Sequence, residues 1–97
     1  MVTKHTEVKN ARGIHLRPSG YIAQAFHDYP GTIRLSSPGK ETVNGKSALS
    51  ILSLGLTAGS EVIVTVEGDN EEEISQEVCH LLSAVYDYSH GDITIQK

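Results

Sequence analysis

Cysteine is nearly absent. Cys79 stands alone in 97 residues, so no internal disulfide can form and no Cys-x-x-Cys pair exists to hold a structural zinc. A reducing, cytoplasmic setting is expected. Long apolar runs are missing too: Met1-Val2-Thr3-Lys4-His5-Thr6 has no apolar h-region, so no signal sequence is expected, and no stretch is apolar for the length a bilayer demands. The expectation is a dissolved protein with no membrane insertion. Net positive charge is also lacking, and −4 overall provides no basic footprint for nucleic acid. Basic residues run out early: residues 1–46 carry seven Lys and Arg against three acids, whereas residues 47–97 carry one against nine. That asymmetry suits a face for anions or acidic partners, or is a solvated surface with clustered charge.

What is present reads as one globular domain, 38% hydrophobic and 21% charged, with no repeat and no internal linker. Val2 to Val8 alternates as a strand does, with Val2, Lys4, Thr6 and Val8 on one side. From Leu16 the spacing turns helical through Ile22, Phe26 and Tyr29, until Pro30-Gly31 stops it. Thr32–Ser36 alternates, Ser37–Lys40 turns, and a short strand is expected near Glu41–Val43. Ser47 to Leu54 reads as a short helix ended by Gly55, and Glu61–Glu67 is the clearest strand, rich in β-branched residues. Asn70 is placed to cap a helix whose first turn holds Glu71, Glu72 and Glu73, with Ile74, Val78, Leu81, Leu82 and Val85 as its apolar stripe. The order is βαββαβα, an α+β arrangement whose antiparallel sheet is covered on one face. Residues 91–97 are expected to add an edge strand or to fray.

The chemistry concentrates in Gly13-Ile14-His15-Leu16-Arg17-Pro18. Pro18 has a helix-ready φ and belongs in a first helical turn, which puts His15 at or just before a helix N-terminus. Unpaired N–H groups and the dipole there welcome negative charge. Gly13 lets the chain bend sharply, and Arg17 is close enough to bring a guanidinium to the same anion. An imidazole titrates near ~6.5, so its neutral nitrogen is a nucleophile at physiological pH. Each exposed helix-end contact stabilises an acquired anion by only about 0.3–1 kcal/mol, which lets the group move on.

Those residues resemble the signature of the histidine-containing phosphocarrier (HPr) family of the bacterial phosphoenolpyruvate-dependent sugar phosphotransferase system. The motif Gly-(Leu/Ile)-His-x-Arg-Pro-Ala runs through Gly13–Pro18, with Ser19 where Ala is usual. The resemblance extends from about Val2 to Val85, leaving residues 86–97 as an extension of a single domain over 1–97. It implies an open-faced β-sandwich of four antiparallel strands with three helices on one side. It further implies that enzyme I phosphorylates His15 on Nδ1 and that His15 donates to enzyme IIA domains, making the protein a covalent carrier rather than a stand-alone enzyme. Leu16, Arg17, Pro18 and Arg12 are the residues expected to stabilise the phosphate. Docking is expected across the first two helices through Leu16, Gln24, Lys46, Leu49 and Leu52.

Two departures stand out. Arg12 replaces a small polar residue and adds a cation, and Ser19-Gly20 replaces an alanine-rich pair; Gly20 weakens the helix by roughly 1 kcal/mol against Ala.

Ser47 reads from its own surroundings as an N-cap, with Ile51 and Leu54 facing inward and Ala48, Leu49 and Leu52 forming a small outer apolar patch. Lys46-Ser47 through Gly55 is also similar to family members whose serine is phosphorylated by an ATP-dependent HPr kinase. That implies a brake on transfer, with HPr kinase/phosphorylase and a transcriptional regulator as further partners.

The histidines at 5, 27, 80 and 90 offer no metal-ligand spacing, and neither a metal nor another cofactor is expected. Cys79 is expected half inside the core. Two other readings of the chain stay open: a regulatory binding module on the same fold, and a carrier of the nitrogen-related branch.

Overall fold

The computed structural model describes residues 1–87 and 94–96. β1 is Val2–Glu7, α1 Leu16–Ala25, β2 Thr32–Ser36, β3 Val43–Asn44, α2 Ala48–Ser53, β4 Glu61–Glu67 and α3 Glu71–Leu82, followed by β5 Val85–Asp87 and β6 Thr94–Gln96. The first seven follow the expected βαββαβα order. Their strands form one antiparallel sheet in the order β1-β4-β2-β3, with Val2 opposite Val66, Ile33 opposite Val66 and Arg34 opposite Asn44.

Alternation along the strands decides which face is covered. Ile33 and Leu35 of β2 and Val62, Val64 and Val66 of β4 are almost wholly buried beneath Ile22, Phe26, Ile51, Val78 and Leu82 from the three helices. Each such side chain removed from water contributes about 1.5–3 kcal/mol before entropy is counted. Thr3, His5, Glu61, Glu67, Thr32 and Arg34 are exposed and alternate with more covered residues of their own strands. The result is an open-faced β-sandwich: helices on one side, solvent on the other.

Several boundaries differ from expectation. α1 ends at Ala25 with Phe26 as its C-cap, one turn early, because Tyr29 N–H donates to the Phe26 carbonyl (3.1 Å) and its hydroxyl reaches the Asp69 carbonyl (2.8 Å). β3 is Val43–Asn44, since only those residues pair with Leu35 and Arg34. Asn70 occupies the N-cap of α3 in a left-handed conformation (φ 56°) without a side-chain capping bond; Glu71 instead accepts from the Gly68 amide at 3.3 Å. α3 stops at Leu82, where the Ser83 hydroxyl donates to the His80 carbonyl (3.2 Å), so Val85 leaves the helical stripe and opens β5 with 39% exposure. Thr94–Gln96 pairs with Val85–Asp87 in a separate two-stranded sheet and is not an edge strand of the main one.

Candidate functional site

The loop ahead of α1 is fastened to the core before it reaches His15. Val8 is buried and extends the β1–β4 pairing, donating to Ser60 (2.9 Å) and accepting from Gly59 (2.8 Å). Gly13 then takes φ +71°, and a Cβ there would run into the Leu56 carbonyl oxygen and lie 2.9 Å from Thr57 Cα. Only glycine meets both demands. Ile14, 3% exposed, donates to the Leu56 carbonyl at 3.0 Å. The residue next to the imidazole is therefore held from two sides.

His15 is the N-cap of α1 (φ −97°, ψ −163°), and its carbonyl accepts the first helical bond, from Ser19 N–H at 3.0 Å. The ring makes no capping bond to the amides that open the helix. The residue is half-buried, with Nε2 sheltered from solvent. Leu16 and Arg17 begin the helix and are exposed, as is Arg12 in the turn before Gly13. Pro18 is buried, has no N–H to donate, and shapes the first turn of the helix.

The fate of the cations sharpens the charge asymmetry. Lys4 pairs with Glu72 (2.9 Å), and Lys40 donates to the Leu54 carbonyl at the end of α2. Lys46, expected on the docking surface, is half-buried with its ammonium on the carbonyls of Tyr29 (2.7 Å) and Gly31 (2.8 Å). There it ties two loops together. Lys9 and Arg12 remain exposed in the segment leading to His15, with Arg17 just beyond it.

α1 and α2 pack against each other. Outside them stand Leu16 (61% exposed), Tyr21 (42%) and Leu49 (74%), with Gln24 exposed and Leu52 half-buried. Tyr21 and Lys9 were not singled out from the sequence; an aromatic residue on the outer side of an amphipathic helix was the available signal for the first. Ser47 is the N-cap of α2, its Oγ accepting from Ser50 N–H (3.3 Å), and Ile51 and Leu54 are buried as expected.

Cys79 is half-buried against the core, and burial pushes its thiol above the ordinary range. Among the described residues no three His, Cys, Asp or Glu side chains cluster to hold a metal, and His90 lies outside those residues. No helix among them is long and apolar enough to cross a membrane.

Residues 2–84 match the family model described as PTS HPr component phosphorylation site. The chain is 42% identical over 71 residues to the phosphocarrier protein HPr of Chlamydia pneumoniae, an alignment covering 73% of this chain and 65% of that protein, just under two thirds of its length. It is 34% identical over 73 residues to the HPr-like protein Crh of Halalkalibacterium halodurans, covering 75% of this chain and 86% of the relative. The crystal structure of a phosphocarrier protein HPr from Bacillus anthracis str. Ames superposes with a TM-score of 0.78 at 29% identity, covering 84% of this chain and 96% of that one. Fold and sequence together define a small phosphocarrier domain. The chain belongs to the HPr family of the phosphotransferase system.

Proposed function

We propose that His15 accepts a phosphoryl group from enzyme I and hands it to enzyme IIA domains of sugar transporters. The observation that carries this reading is the half-exposed His15 at the N-cap of α1, with Nε2 turned from solvent and the ring making no capping bond of its own. Attack by Nδ1 forms an N–P bond as the donor's bond to phosphorus breaks, and the reverse exchange releases the group to the acceptor. Nε2 keeps its proton throughout. Backbone N–H groups of Leu16 and Arg17, with the Arg17 and Arg12 guanidinium groups, supply favourable charge at the helix end. Leu16, Gln24, Leu49 and Leu52 form the face on which donor and acceptor dock.

Phosphorylation of Ser47 by HPr kinase acts as a brake. A dianion at this N-cap keeps its favourable helix end while repelling an acidic or phosphorylated partner, and a transcriptional regulator reads the modified form. The protein works in the cytoplasm, and residues 86–97 extend a domain whose core is 2–85.

The deciding experiment incubates the protein with enzyme I, phosphoenolpyruvate and magnesium and measures acid-labile phosphate. Labelling of the wild type but not of His15→Ala supports the carrier. Absence of label from both favours a binding module, a reading to which the HPr-like relative lends weight.

A further inference from the structure

We infer that the open face of the sheet carries a second anion site, centred on Arg34, which takes the phosphate group of a small organic phosphate. A groove of about 280 Å³ lies there, lined by Thr32, Ile33, Arg34, Thr42, Val43 and Asn44. It sits on β2 and β3, the far side of the sheet from the helices that carry His15 and Ser47.

The chemistry of the lining selects the ligand. Arg34 is exposed in the middle of β2, opposite Asn44 on one side and Thr65 on the other, and among the described residues its guanidinium has neither an ion-pair nor a hydrogen-bond partner. The Asn44 Oδ1 accepts from Lys46 N–H at 2.9 Å, which leaves the Asn44 amide nitrogen as a donor. Thr32 and Thr42 add hydroxyls, and no carboxylate lines the groove. A guanidinium fork, an amide N–H and two hydroxyls offer more donors than a carboxylate's two oxygens use well, and they match the three oxygens of a phosphomonoester.

Glu67 bounds the site. It pairs in register with Thr32, one step diagonally from Arg34, and shares a neighbouring small depression with Thr32, Arg34, Thr65 and Met1. Its carboxylate disfavours an anion there, so its removal strengthens binding.

The test is a 1H–15N NMR titration of the full chain with glycerol 1-phosphate, inorganic phosphate, glycerol, and sodium chloride at matched ionic strength. Saturable shifts at residues 32–34 and 42–44, at millimolar glycerol 1-phosphate and absent with glycerol or salt, are expected. They persist in His15→Ala, which separates this site from the proposed phosphoryl acceptor. Arg34→Gln weakens binding at least about tenfold, Arg34→Lys restores part of it, and Glu67→Gln tightens it severalfold. Dispersed spectra confirm that each variant is folded. Shifts confined to the ends of α1 and α2, equal affinity in Arg34→Gln, or a response to inorganic phosphate alone (an adventitious ion only) each overturn the assignment.

Discussion

Asn10 and Gly13 hold each other: the Asn10 side-chain amide donates to the Gly13 carbonyl at 2.9 Å, and the Gly13 backbone N–H donates back to the Asn10 carbonyl at 2.9 Å. Asn10 is 4% exposed, so this reciprocal link is made away from water. Asn10→Ala leaves a buried carbonyl short of a donor and should cost about 1–3 kcal/mol in urea unfolding. The same variant should slow phosphoryl acceptance while leaving His15 in place. A stability loss well under about 0.5 kcal/mol would show that the loop is held by Gly13 and Ile14 alone.

Ser19 gives a prediction of the opposite sign. Its side chain is fully buried, and among the described residues its Oγ has no hydrogen-bond partner. Ser19→Ala removes a buried polar group and inserts the best helix former, so stability should rise by about 1 kcal/mol. Thermal unfolding reads this directly; a lower midpoint would mean that the hydroxyl has found an acceptor in solution.

Glu71 links stability to pH. Its carboxylate is held below its ordinary value of 4.5, first by the hydrogen bond from the N-terminal ammonium and then by the Gly68 amide. A depressed folded-state value means that the contribution is present above pH 4.5 and fades as pH falls through the lower folded value. Glu71→Gln, or acetylation of the N-terminus, should flatten the acid limb of a stability-against-pH curve. An unchanged limb would show the contact to be ineffective in water.

Cys79 behaves in the reverse direction. Burial raises its thiol above the ordinary 9.0, so the folded state resists ionisation; its contribution is whole below 9.0 and is lost as pH climbs from there through the higher folded value. At pH 8 iodoacetamide should therefore react with Cys79 far more slowly in the native protein than in urea. Similar rates in both would place the sulfur in open solvent.

Sequence patterning revealed most where the determinants are local. The bounds of β4 follow from its β-branched run, Ser47 caps α2 through a residue three positions on, and Pro18 puts His15 at the start of α1. Where long-range contacts decide, it fell short. Tyr29 looks like a helical core residue until Asp69, forty positions away, claims its hydroxyl. Lys46 looks like a surface cation until Tyr29 and Gly31 present their carbonyls to it. The groove at Arg34 needs β2 and β3 brought into register, which no local spacing announces.

The apolar side chains that α1 and α2 leave outside, Leu16, Tyr21 and Leu49, belong to the same pair of helices that begins at His15. On the proposed relay, donor and acceptor both seek that imidazole across one landing place, so they take turns, and throughput is capped by how quickly each lets go.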